Sequence, residues 1–217
     1  MDKPFSQDRI GYVANLINPR KEMKVLNIGV SNIPEIELEI EDKVKECWTL
    51  DLDKAKVQDA SAKTKKTTYV VGDVTESNLF KKNYFDVIVV LEVLEHLEDD
   101  DAAVKILKGY LKKGGIIIAS VPNRNLLHAV NPVMYTQHKR HYSNYMFQDL
   151  FARNGFTIQH FNIVESWRLL GNLYIHLFSK YLFGKKRNFN FFNKEGDKTY
   201  GQMNSKGLDL VIVARKN

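Results

Sequence analysis

A chain of 217 residues with 44% hydrophobic and 27% charged residues is long enough to bury one core without covalent staples. Its single cysteine, Cys47, excludes an intramolecular disulfide, and no CxxC or Cys/His cluster stands at zinc spacing. The net charge of +6 is uneven: residues 180–217 hold 9 Lys+Arg against 3 Asp+Glu, which leaves 23 of each over residues 1–179. No apolar run approaches the roughly 20 residues of a membrane-crossing helix, and MDKPFSQDRIGYV lacks the apolar centre of a signal peptide, so the expected location is cytoplasmic.

Residues of about 5–19 read as a first helix with Ile10, Tyr12, Val13, Leu16 and Ile17 on one face and Pro19 past its end. Lys24–Gly29 is a short strand running into a glycine. After Pro34, the acidic stretch Glu35–Lys45 has Ile36, Ile40 and Val44 at the spacing of one helix face. Cys47–Asp51 is a second strand, with Leu52 and Asp53 behind it; an acid there is either a ligand-binding carboxylate or a helix N-cap. Ala55–Lys66 is a polar helix or loop, and its basic end is solvated surface. Thr68–Gly72 is a third strand, followed by Asp73 and Val74.

The organising stretch is Phe85–Ser120. Phe85–Leu91, with β-branched Val87, Ile88, Val89 and Val90, suits a strand covered on both faces. Such a strand delivers Glu92, Glu95 and His96 to its carboxyl end, where open α/β sheets bind ligands. Asp99–Asp101 caps the next helix, whose apolar residues run from Ala102 to Leu111, and Gly114-Gly115 stops it before a fifth strand. Val133–Tyr145 is dense in histidine, arginine and tyrosine, and includes His138 and His141. A helix over Tyr145–Asn154 and a sixth strand over Thr157–Val164 follow. Trp167–Tyr181 reads as an apolar helix and Leu182–Lys206 as a basic, aromatic loop. Leu208–Ala214 is a seventh strand.

The order strand–EVLEH–helix–LKKGG–strand resembles the central stretch of class I S-adenosylmethionine-dependent methyltransferases, in their small-molecule, type 11/23-like branch. Gly72-Asp73 falls where that family has its adenine-side acid. The resemblance implies an α/β fold: a Rossmann-like doubly wound seven-stranded sheet with an antiparallel last strand and helices on both faces. It implies a single domain, 1–217, with an N-terminal helix (about 5–19) and an insertion (about 167–206) before the last strand. The implied cofactor is S-adenosyl-L-methionine, giving S-adenosyl-L-homocysteine. Carried over by motif, Asn27, Gly29 and Ser31 form the first loop, Asp51, with Asp53 second, meets the ribose, and Leu52 is counted with the cofactor-binding residues. Asp73 and Val74 meet the adenine, and Leu91 and Glu92 close the cofactor edge. Where the family has an acid and three glycines, this chain has Asn27, Gly29, Ser31 and Ile33, so the loop path must differ at Ile33.

For the chemistry, His96 is the first expected base, the alternative being a histidine that only pins the helix start, and His138 and His141 are second candidates, one of which could instead be structural. No metal is expected, because His138 and His141 lack a carboxylate or cysteine at motif spacing. There is no Asn-Pro-Pro-Tyr or Asp-Pro-Pro-Tyr after the fourth strand, which points to a hydroxyl (or amine) of a small molecule, and the basic tail with the Asn27-Ile28-Gly29 loop tilts this towards a sugar or lipid-linked glycan. A nucleic-acid acceptor is disfavoured, since only charge supports it. Residues 167–206 suggest a cover over the sheet edge or site, with peripheral membrane contact as the alternative. The rival reading of the whole chain is a non-catalytic binding or scaffold protein with a degenerate cofactor loop.

Overall fold

Alternation along Phe85–Leu91 explains how the molecule is layered. This strand (β4) is a computed structural model's central strand, and its side chains point to opposite faces in turn. Val87 and Val89 pack with Val25, Val213, Ile36 and Ile40 on one face, beneath helices α1 (Gln7–Ile17) and α2 (Glu35–Ile40). Ile88 and Val90 pack on the other with Leu107, Tyr110, Phe147 and Phe151, beneath α4 (Asp100–Tyr110) and α5 (Asn144–Arg153). Two helical layers on one sheet bury both faces, and each large apolar side chain so enclosed contributes about 1.5–3 kcal/mol. The structure describes residues 7–31, 33–124, 138–164 and 209–217.

The sheet has seven strands in the order β3-β2-β1-β4-β5-β7-β6. They are β1 (Lys24–Ile28), β2 (Glu46–Asp51), β3 (Thr67–Val71), β4, β5 (Leu111–Pro122), β6 (Phe156–Val164) and β7 (Asp209–Lys216). Strands β3 to β5 run parallel, and β7 inserts antiparallel between β5 and β6. The order reverses between β1 and β4, so the connections leaving these neighbours diverge. A crevice opens there at the carboxyl ends of the strands.

Two expectations are corrected and one open alternative is decided. The helix after Pro34 ends at Ile40, not Lys45, although Ile36, Ile40 and Val44 are all buried as the spacing implied. Its continuation is replaced by turns because Glu41 aims its carboxylate at the backbone N–H groups of Lys65, Lys66 and Thr67. Helix α4 ends at Tyr110 rather than at Gly114-Gly115, since buried Leu111 already pairs with Phe85 in the sheet. Gly114 takes φ +76° inside the irregular start of β5, where the register shifts. The stretch expected as helix or loop after Asp53 is helix α3 (Lys54–Ser61), and Asp53 is its N-cap, accepting from the N–H groups of Ala55 and Lys56. The expected helix Trp167–Tyr181, the insertion 167–206 and its membrane contact lie outside the described residues.

Candidate active site

The crevice is a cavity of about 650 Å³ between the ends of β1, β2, β3 and β4. Asn27, Gly29, Ser31, Asp51, Leu52, Asp73, Val74, Leu91 and Glu92 all line it, and so does His96. The first loop is held from beneath. Gly29 donates its N–H to the carbonyl of Leu50 (2.8 Å), and Val30 donates to Asp51 Oδ2 (2.7 Å). Gly29 has φ +84°, and a Cβ on it would stand 2.8 Å from Val93 Cγ2. Only glycine fits that turn. Asn27 donates to the Gly29 carbonyl (3.0 Å) and to Glu37 Oε1 (2.8 Å), which also accepts from Thr49 Oγ1 (2.6 Å). Ser31 turns its hydroxyl onto the carbonyl of Ile33.

At the end of β2, Asp51 accepts from Val30 and, through Oδ1, from the N–H of Asp53 (2.7 Å). A carboxylate has about four lone-pair directions, so it keeps capacity for hydroxyl donors in the cavity. Leu52 beside it is 71% exposed. At the end of β3, Asp73 Oδ1 accepts from the N–H and hydroxyl of Thr75 (2.8 and 2.7 Å). Glu92 has φ +54°, an uncommon left-handed conformation for a residue with a side chain. It is fixed there by its N–H to the Ser120 carbonyl (3.0 Å), by the Ser120 hydroxyl (2.6 Å) and by Arg9 of α1 (3.0 Å).

The opposite wall is ionisable. The turn Leu94–His96 places His96 at the cavity edge, its side chain 48% exposed. The rings of His96 and His138 meet edge to face at 4.9 Å, and His141 lies 6.0 Å beyond His138. Beneath them Glu95 is 1% exposed. Burial, and then the nearby charges of Glu92 and Asp209, push its carboxyl up to about 9 against the pull of Arg9. Burial and then its two histidine neighbours lower the pKa of His138, so its imidazole is neutral at neutral pH. Backbone N–H groups of Lys139 and Arg140 donate to the Glu95 carbonyl (2.9 and 3.1 Å), which carries the His138–His141 segment to this wall.

Residues 29–119 match the model of the methyltransferase domain family. The matched stretch runs from Gly29 in the first loop to Ala119 in β5. Solved structures share the chain's fold over nearly its whole length. One is an S-adenosylmethionine-dependent methyltransferase from Mesorhizobium loti, at 14% identity and TM-score 0.68, covering 94% of this chain and 96% of that one. Another is a possible histamine N-methyltransferase from Thermotoga maritima, at 18% identity and TM-score 0.67, covering 98% and 90%. A third is a Haloferax volcanii methyltransferase in complex with the Trm112 activator, at 16% identity and TM-score 0.68, covering 96% and 89%. No curated protein matches the chain.

In this chain the nine residues expected at the cofactor share one cavity, and the three histidines form one contiguous group at its edge. His138 and His141 themselves stand behind His96 rather than in the cavity lining. Sequence reasoning missed Arg9 and Glu37. Arg9 is brought in by the docking of α1, which no local pattern reports. Glu37 had a usable signal: position 27 lacks the family's acid, and a carboxylate on the helix following the loop is a ready substitute.

Proposed function

We propose that this chain is an S-adenosylmethionine-dependent methyltransferase acting on a hydroxyl (or amine) of a small molecule, with a sugar or lipid-linked glycan as the favoured acceptor class. The observation that carries the reading is the arrangement of one cavity. Carboxylates stand at the ends of two successive strands on one side, and His96, backed by His138, stands on the other.

The residues present fit the cofactor. The turn at Gly29 keeps the first loop free of a Cβ where backbone must come close. In our reading Asp51 accepts the ribose hydroxyls, exposed Leu52 lies against the adenine ring, and Asp73 with the backbone of Val74 meets the adenine edge. Glu92, Leu91 and Asn27 complete the methionine end. S-adenosylmethionine supplies a methyl group on a cationic sulfur, which an oxygen or nitrogen lone pair displaces in line. The chain's own contribution is to hold the two reactants at close range, which lowers the barrier by several kcal/mol. It also receives the acceptor's proton at an imidazole. His96 faces the cavity and is the first base. His138 and His141 stand behind it as the base reserve and the acceptor-side wall.

Calorimetric titration with S-adenosylmethionine and S-adenosylhomocysteine tests the cofactor half of this reading. The wild-type chain is expected to bind both, and Asp51→Ala to weaken them by on the order of tenfold to a hundredfold. Absence of binding to the wild-type chain would overturn the site and favour a scaffold role. A panel of free sugars, nucleotide sugars and lipid-linked sugars, followed by methyl transfer from labelled cofactor, then tests the acceptor class.

A further inference from the structure

The histidine wall has more than base chemistry in it. Glu95, His96 and His138 place one ligand atom each so that all three lie within 4.8 Å of one another. The Oε1 of Glu95 is 3.9 Å from His96 Nε2, and Oε2 of the same buried carboxyl has no hydrogen-bond partner. An unpartnered buried oxygen is costly and calls for a donor or a cation. His96 is half exposed on a short turn, so its ring can close the remaining gap. The spacing of His138 and His141 in the chain offered no carboxylate; the fold supplies one from the turn after β4.

We infer that Glu95, His96 and His138 form a binding site for one divalent transition-metal ion of borderline, zinc-like character. Two imidazoles and one carboxylate are a set that such an ion accepts, leaving at least one coordination position open. His96 lines the cavity and Glu95 lies beneath it, so an open position on the ion would be within reach of a molecule in the cavity. His141, 6.0 Å from His138 ring to ring, stands next to this group rather than in it. An oxygen-bearing acceptor that took the open position would be both oriented and made more acidic. This last consequence rests on the methyl-transfer reading above; the binding of the ion does not. Where the ion is bound, His96 and His138 would serve as its ligands rather than as bases.

The test uses the full chain without an affinity tag, stripped with a chelator and titrated with zinc chloride by calorimetry and cobalt chloride by visible absorption. One ion per chain is expected, with cobalt bands typical of a low-coordinate nitrogen and oxygen site. His96→Ala, His138→Ala and Glu95→Gln are each expected to weaken binding by at least about tenfold. Glu95→Gln keeps the shape of the buried side chain, and circular dichroism and melting confirm that each variant is folded. No binding to the wild-type chain, or equal binding by all three folded variants, would overturn the site. Cofactor affinity is measured on the same samples. Loss of the metal with the cofactor still bound sinks only this inference, whereas metal binding without cofactor binding supports it and sinks the cofactor assignment.

Discussion

Asn27 and Gly29 show how a departure from a family pattern is absorbed one residue at a time. The acid expected at position 27 is an amide here, but buried Glu37 accepts from it at 2.8 Å and returns a carboxylate to the same corner. Of the three glycines expected, the retained one is the position where φ is positive and a neighbouring Val93 methyl leaves no room. Gly29→Ala is therefore expected to cost about 1–2 kcal/mol from the left-handed backbone alone. The clash with Val93 adds to this. Denaturant melts report the loss, and a parallel drop in S-adenosylmethionine affinity is expected because the same loop lines the cavity. Affinity equal to wild type would mean that the loop does not touch the cofactor. Asp51 and Asp53 illustrate a choice that sequence left open: the fold uses Asp53 as a cap and leaves Asp51 to the cavity.

Between elements, the site depends on how the segment from His138 to Tyr142 is clasped to the start of α4. Tyr142 is buried, and its hydroxyl donates to Asp100 Oδ2 at 2.6 Å, while Arg140 pairs with the same carboxylate at 3.3 Å. The Tyr142 carbonyl accepts from the N–H of Arg124, past the end of β5. Burial, followed by the hydrogen bond to Asp100, raises the Tyr142 pKa and keeps it a donor. Tyr142→Phe should destabilise the chain by about 1–3 kcal/mol, because a buried carboxylate loses its neutral donor. Loosening the clasp should lower methyl transfer more than cofactor affinity, since it carries histidines and no part of the cavity's carboxylate side. Equal losses in both would show that the segment is only a structural strut.

At the scale of the whole molecule, the sheet is tied together at the end away from the cavity. Glu46 at the start of β2 takes Lys24 of β1 (2.9 Å), the Trp48 indole N–H (3.0 Å) and the hydroxyl of Tyr84, just before β4 (2.7 Å). Burial works to raise the Glu46 pKa, but these donors outweigh it and bring it from 4.5 down to about 2. The folded value lies below the unfolded one, so this contribution is fully present above about pH 4.5 and is lost as pH falls towards 2. Glu46→Gln is expected to lower stability by about 2 kcal/mol at neutral pH. The gap from wild type should shrink below about pH 4.5, and cofactor affinity at neutral pH should not change. A pH-independent gap would remove the charge from this account.

What the sequence determined by itself is the order of elements and the identity of the cavity's sides. Runs such as Val87–Val90 permit few positions other than a sheet centre, and acids at strand ends follow from chain order once strands are parallel. Its errors lay at boundaries, at Ile40 and Tyr110, where a distant partner (the Lys65–Thr67 backbone, the Phe85 strand) outcompeted local helix propensity. Only the tertiary structure decided that residues 46 and 84, 9 and 92, or 95 and 138 would meet. Those pairs share no periodicity. Their contacts come from the packing of α1 and of the Tyr142 segment onto the sheet, and a three-residue ligand set spread over two segments exists only after that packing.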